Sequence, residues 1–312
     1  MRRIAGIDIG TNSLRVLIAD IDSGGIFTPV YKSLKTTRIG KDLQKNGYIL
    51  PEKIEENLRE LIEICKLCAG YGCGEKIFFG TEGLRRAANS SELIDKFYEA
   101  TGYKIRILSG REEAEYTFSG AVKLIDKKFL LENPGVLDIG GGSTEVCKGI
   151  FNRDDSGINY IEGISFPVGC VTMTEKFGTG NFPVDETALK DLKDYLKNEF
   201  AKIPLKFDRN KSRLIGVGGT ITCLSAIKQG LKKYDEKFTH NSFISRDDIE
   251  TILKRLLNTN IEEREKLPGL SDKRGDIIIA GISILTGIMD LFGFEEILIS
   301  DYGILAGIIL SL

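Results

Sequence analysis

The sequence predicts an α/β protein of two domains in which the second repeats the first, and three observations carry that reading. The chain has 312 residues, 42% of them hydrophobic, more than one compact core ordinarily holds. An apolar strand that ends in Asp-Ile-Gly, turns through Gly, Ser or Thr and resumes as a strand occurs twice. The copies are Asp8-Ile9-Gly10-Thr11 and Asp138-Ile139-Gly140-Gly141-Gly142-Ser143. Stretches of helical periodicity follow each copy.

In chain order, strands are expected at 4–9, 13–20 and 26–34, with the turn Asp22-Ser23-Gly24-Gly25 between the last two. Helices follow at 51–68, 82–88 and 91–101, with strands at 76–79 and 104–108. A helix over 112–124 leads into the second meander at 135–139, 144–150 and 159–168. Helices at 185–201 and 247–257 and a strand at 214–217 complete the second unit. The first domain is placed at 1–124 and the second at 125–302. The apolar helix over 303–312 cannot bury itself alone and is expected to return to the first domain.

Forty-three basic and 45 acidic residues leave a net charge of −2, so no global positive field attracts nucleic acid or an acidic membrane. A polyanion site must be built locally. No basic, apolar leader opens the chain, which points to the cytoplasm. The longest apolar stretch, 277–292, is interrupted by Thr286 and Asp290 and reads as a buried helix rather than a membrane span. Of six cysteines only Cys65 and Cys68 have a redox or metal spacing, with Cys73 nearby. They lie within a helical pattern and lack a second pair or a histidine, so structural cysteines are expected. His240 is the only histidine, which excludes a histidine-rich metal centre.

A glycine-rich bend lets backbone amides converge on an anion, because no Cβ blocks the approach. The hydroxyls of Thr11, Ser13, Ser143 and Thr144 add donors beside Gly141 and Gly142. Asp8 and Asp138 at the strand tips would repel phosphate, so they imply Mg²⁺ or a similar hard cation between them, with Glu145 a further ligand. One such loop is how any tight hairpin is made; two of one grammar point to phosphate chemistry. A third cluster, Gly218-Gly219-Thr220, follows a strand and opens a helix. It is either a simple turn or another anion site.

Thr81, Arg85 and Arg86 follow a strand, and since adjacent helix positions point about 100° apart, only Arg85 is expected to face the site. Ser109 and Glu112 have the spacing of a capping box, which gives Glu112 a structural job. Glu113 has none. It shares a helical face with Tyr116 and Thr117 on the segment joining the two units, where a carboxylate can orient and deprotonate water.

Taken together these residues resemble the exopolyphosphatase and guanosine pentaphosphate phosphohydrolase (Ppx/GppA) family. The resemblance runs nearly end to end, through Asp8 to Ser13, Gly80-Thr81 with Arg85, Ser109 to Ala114, Asp138 to Glu145, Gly218 to Thr220, Leu267 to Ser271 with Arg274, and Ser300-Asp301. It implies an actin-like fold of the sugar kinase, Hsp70 and actin superfamily, with duplicated ribonuclease H-like domains. It implies that Glu113 is the catalytic base and that Asp138 and Glu145 serve metal and water. Asn12, Ser13, Arg15, Arg85, Gly141, Ser143, Thr144 and Arg274 would hold phosphate. The implied reaction is hydrolysis of the terminal phosphoanhydride of polyphosphate, or of guanosine pentaphosphate, with Mg²⁺. Two departures stand out. Leu305-Ala306-Gly307 replaces the family's Arg-Glu-Gly, and the larger members' carboxy-terminal helical domains are missing, so the chain reads as the short form.

Two alternatives stay open at this point. One is an acyl or sugar kinase of the same superfamily, which would normally be longer and would not explain Glu112-Glu113. The other is an actin-like nucleotide-binding scaffold. Neither nucleic acid nor membrane is expected as a partner, and a homodimer is compatible with the chain.

Overall fold

Strand β1 (Arg2–Ile9) is buried along six consecutive residues, so it can only be a central strand covered on both faces. Its neighbours follow in a meander, β2 (Ser13–Ile21) and then β3 (Phe27–Thr36), whose exposed residues mark the edge of the sheet. After the short α1 (Leu43–Asn46) and the long α2 (Pro51–Gly70), β4 (Glu75–Gly80) adds parallel to β1. Helices α3 (Glu82–Arg86) and α4 (Ser90–Thr101) precede β5 (Ile105–Ile107), and α5 (Gly110–Lys123) leaves the sheet. The order is β3-β2-β1-β4-β5.

The computed structural model describes residues 1–152, 157–270 and 274–312. The second meander is β6 (Asn133–Ile139), β7 (Thr144–Phe151) and β8 (Ile158–Phe166). It is followed by α6 (Cys170–Phe177), α7 (Glu186–Phe200), β9 (Ser212–Val217), α8 (Gly219–Lys228) and α9 (Glu236–Thr239). Then come β10 (Phe243–Ser245), α10 (Arg246–Leu257), α11 (Ile261–Glu265), α12 (Ile278–Phe292), β11 (Glu296–Ile299) and α13 (Ile304–Ile309). The second sheet runs β10-β11-β9-β6-β7-β8. Apart from the added edge strand β10, it repeats the first: an antiparallel meander, then parallel partners. This duplicated ribonuclease H-like layout is the actin-like fold that the resemblance implies.

The stretch expected as a buried helix is α12, enclosed in the largest core with Leu192, Leu196, Leu224 and Ile249. Among the described residues no helix is long and apolar enough to cross a membrane. Helix α6, helix α11 and strands β10 and β11 have no counterpart in the sequence reading. Each is short, and its stability comes from packing rather than from a long periodic pattern.

Two helices cross between the sheets. Helix α5, placed in the first domain by the sequence, lays Ala114, Phe118, Ala121 and Val122 on Val136, Cys147 and Ile215 of the second sheet. Helix α13 lays Ala306 and Ile309 on Ile4, Leu17 and Ala19 of the first. The two cross so closely that a Cβ on Gly307 would lie 1.8 Å from the Tyr116 carbonyl oxygen, and one on Gly120 would lie 2.0 Å from that of Gly303. Glycine is required at both positions. The apolar triplet Leu305-Ala306-Gly307 is thus a packing surface.

Candidate active site

The turns after β1 and β6 are built alike. The Gly10 amide donates to the Ser13 carbonyl at 3.1 Å, and the Gly140 amide donates to that of Ser143 at 2.9 Å. Closing each turn this way leaves the amides of Thr11, Asn12, Gly141 and Gly142 with no partner among the described residues. The second loop is braced from behind by α6, whose Cys170 and Val171 amides donate to the Gly140 and Gly141 carbonyls at 2.9 Å each.

The loops face one another and touch. A Cβ on Gly142 would lie 2.6 Å from Thr11 Oγ1. Across the same cleft Arg38 pairs with Asp276 at 2.9 Å, and the Asp42 amide donates to Glu175 Oε1 at 3.1 Å. The cleft is therefore closed over a cavity of about 70 Å³. Thr11, Asn12, Ser13, Arg15, Thr81, Glu113, Asp138, Gly141, Gly142, Ser143, Glu145, Gly218, Gly219 and Arg274 all line it. The side chain of Asn12 is buried with neither its oxygen nor its nitrogen bonded, among the described residues. A buried amide in that condition costs free energy unless a ligand completes it.

Glu113 enters from α5. Ser109 caps that helix: its Oγ accepts from the Glu112 amide at 3.2 Å while Glu112 bonds back to the Ser109 amide at 2.8 Å. Glu112 is thereby occupied, and Glu113, one position on, is 7% exposed and aimed into the cleft. Arg85 fixes it, donating to Glu113 Oε2 at 3.1 Å, to Glu82 Oε2 at 2.6 Å and to the Leu108 carbonyl at 2.7 Å. Burial, only partly offset by Arg85, pushes the Glu113 carboxyl up to about 7, and the charges of Asp8 and Asp138 add to the rise. Arg86 does not line the loop cavity; it reaches Glu82 at 3.6 Å and lines the adjoining hollow beside Arg85.

The site concentrates negative charge. Burial raises Asp138 and Glu145 above the ordinary carboxylate range, and Glu145 is raised further by Glu113 and Asp138. With Asp8 and Glu82, five carboxylates stand against Arg15, Arg85 and Arg274. Fully ionised, such a site would repel phosphate. A divalent cation fits the excess: Asp138 and Glu145 lie directly across from one another on β6 and β7, and buried Asp8 Oδ1 has no partner among the described residues. No closed cage exists, since no three acidic, Cys or His side chains converge on one point among the described residues. That arrangement suits Mg²⁺, which usually takes one or two carboxylates and fills its remaining positions with phosphate oxygens and water.

The structure corrects several expectations. Thr144 is fully buried and gives its hydroxyl to the Val168 carbonyl, so it cannot hold phosphate. Thr220 is turned under α12, against Gly281. Asp8 does not line the cleft; Arg15 covers it, with Nε donating to Asp8 Oδ2 at 2.7 Å. Arg85 is committed to positioning Glu113. Gly218 needs its positive φ of 88°, and a Cβ there would lie 2.6 Å from Asp138 Oδ1; the guanidinium of Arg274 sits against Gly219. Of the motif containing Arg274, Ser271 lies outside the described residues. The cysteine cluster is inert, with the Cys65 and Cys68 thiols pushed up by burial to about 11 and about 12.

Two functional side chains escape the sequence reading. Glu82 shares Arg85 with Glu113, and its i,i+3 spacing from Arg85 is the signal for that pair. Ser165 donates to Glu145 Oε1 at 2.6 Å from the facing position on β8. Only the strand register identifies it.

Residues 17–312 match the model of the Ppx/GppA phosphatase family. A bifunctional 3-dehydroquinate synthase/phosphatase of Fusobacterium nucleatum is 35% identical over 98% of the chain, which spans 46% of that relative's length. Exopolyphosphatase 2 of Mycobacterium tuberculosis is 28% identical over 100% of this chain and 99% of its own. The crystal structure of the Aquifex aeolicus member of the Ppx/GppA family superposes with a TM-score of 0.80 at 28% identity, covering 99% of this chain and 97% of that one.

Proposed function

The chain belongs to the Ppx/GppA phosphatase family, and from that premise we propose that it hydrolyses the terminal phosphoanhydride of inorganic polyphosphate. The observation that carries the proposal is Glu113: a buried carboxylate, held by Arg85 and tuned to about 7, facing two phosphate-type loops. A general base works best when its pKa lies near the operating pH.

In this mechanism the terminal phosphoryl group rests between the loops on the unpartnered amides of Thr11, Asn12, Gly141 and Gly142, with the Asn12 side chain completing its own bonds there. Arg15 and Arg274 neutralise the phosphates on the far side. Glu113 accepts a proton from water, and Arg85 keeps its carboxylate aimed while Glu82 balances the guanidinium. Donors fixed before reaction, in a neck of only about 70 Å³, favour the charge distribution of the transition state. Asp138 and Glu145 would hold a magnesium ion, with Asp8 behind them. Bound there, the ion would screen the phosphate charge from the carboxylates.

Guanosine pentaphosphate presents the same anhydride. The end-to-end likeness to an exopolyphosphatase supports the polymer as the better substrate. Phosphate release from both, measured at matched terminal-phosphate concentration with Mg²⁺, tests the order, and faster turnover of the nucleotide reverses it. In the same assay Glu113→Gln is expected to lower turnover by at least about 10²-fold, the low end for loss of a general base, with an unchanged circular dichroism spectrum. Undiminished turnover would remove Glu113 from the role.

A further inference from the structure

Three hollows lie in sequence along the cleft. The first, about 540 Å³, is lined by Arg85, Arg86, Gly110 and Ser165. The second is the small cavity between the loops. The third, about 640 Å³, lies beyond it. The first and second share Glu82, whereas the second and third share Arg15, Leu34, Asp138, Gly218, Gly219 and Arg274; the first and third share none. The loop cavity is thus a neck between two mouths.

Reaction geometry tells the mouths apart. In phosphoryl transfer the attacking and leaving oxygens lie roughly in line on opposite sides of phosphorus. Glu113 is bound to Arg85, which lines the first hollow, so water is activated on that side. The departing chain must then lie in the third.

Cations continue in that direction, beside the carboxylates of Glu56 and Asp301 and with Lys35 paired to Glu60 at 2.6 Å. Lys32 and Lys35 of β3 line the third hollow. Lys32 pairs across from Leu17, two residues along β2 from Arg15, which is about 7 Å of strand. Its ammonium bridges the mouth, paired with Glu236 of α9 and 3.7 Å from the centre of the Tyr302 ring. Tyr234 forms the common wall between the third hollow and a fourth, about 390 Å³, lined by Lys232 and Lys233. Lys237 follows on α9. None of Lys232, Lys233 and Lys237 enters an ion pair among the described residues.

We propose that a long polyphosphate leaves the active site through the third hollow, past Lys32 and Lys35, and is gripped beyond Tyr234 by Lys232, Lys233 and Lys237. These distal lysines then set a preference for long chains over short ones. The inference rests on the polyphosphate reading above.

The test is the triple variant Lys232→Ala, Lys233→Ala, Lys237→Ala, assayed on long-chain polyphosphate and on tripolyphosphate, which is too short to reach them. For the long chain, KM should rise about tenfold and its logarithmic salt dependence should flatten by about 2, the loss expected for three contacts to a flexible polyanion. The kcat on either substrate and the KM for tripolyphosphate should not change. An unaltered KM for the long chain overturns the proposal, and so does an equal rise on both substrates, which would mark a structural effect. Should the unsubstituted protein turn over neither substrate, the functional reading fails and calorimetric binding of long polyphosphate still decides the grip. Weaker binding by the triple variant supports it; equal binding sinks it.

Discussion

The two strand-turn-strand loops share a backbone and differ in what stands across from the aspartate. In the first half Asp8 faces Arg15; at the same register in the second half Asp138 faces Glu145. One duplicated frame therefore holds a neutralised pair on one side of the cleft and two like charges on the other. Opposite charges facing across strands stabilise a sheet, and like charges weaken it. The first half is compensated within itself, whereas the second keeps an unfavourable pair that a bound cation or a proton would relieve. Strain of this kind belongs where function needs it.

The largest expected effect comes from erasing the difference. Glu145→Arg gives the second half the pairing of the first, and hydrolysis should fall by roughly 10³-fold, the upper range for removing one preorganised electrostatic group. Glu145 is buried and arginine is larger, so the comparison is made on protein whose circular dichroism spectrum matches the parent's. Retention of even a tenth of the phosphate-release rate would show that the like-charged pair is not needed.

Next in size is the reverse experiment on the first half. Arg15→Leu strands Asp8 in a fully buried position, and breaking such a pair costs about 3–5 kcal/mol. Because Arg15 is 33% exposed, about 3 kcal/mol is expected, read from urea unfolding midpoints. Adding Asp8→Asn should restore most of the loss. A single variant as stable as the parent would mean that the ion pair carries no structural weight.

The smallest effect is in pH. Glu113 acts as a base only when ionised, so kcat/KM should climb about tenfold per pH unit below 7 and level off above it. Stability should move the other way. A carboxyl whose folded pKa is raised, here from 4.5 to about 7 for Glu113 and to about 7 for Asp301, contributes stability that is complete below its unfolded value and lost as pH rises through the folded one. The urea midpoint should therefore decline between about pH 4.5 and 7 as activity grows. Parallel rather than opposed profiles would remove Glu113 from both roles.

Much of the cleft is legible in the sequence. The repeated Asp-Ile-Gly turn locates both loops, and the Ser109–Glu112 capping box singles out Glu113, because each is a local pattern with a local physical cause. What escaped depends on direction. Thr144 and Glu145 were both assigned to the site, yet successive strand residues point to opposite faces, so only one can face the cleft, and it is Glu145. Strand alternation, applied to that segment, would have excluded Thr144. The occupation of Arg85 by Glu82 is local, an i,i+3 pair on one helix, whereas the commitment of Arg85 to Glu113 and the turning of Thr220 beneath α12 are set by tertiary packing. No spacing in the sequence encodes the turning of Thr220.

The interlocked glycines of α5 and α13 have a consequence for biosynthesis. The helix that carries Glu113 rests against the Tyr302–Ile309 segment through Gly120 and Gly307. A ribosome adds about 5–20 residues per second, so roughly ten to forty seconds separate the making of Glu113 from the making of its support. Throughout that interval both glycine loops already exist as chain, but Glu113 has no braced helix to stand on. Until Gly303 and Gly307 have been made and have docked, the Glu113 helix lacks the surface that fixes its place beside the cleft, so the order of synthesis itself delays assembly of the site.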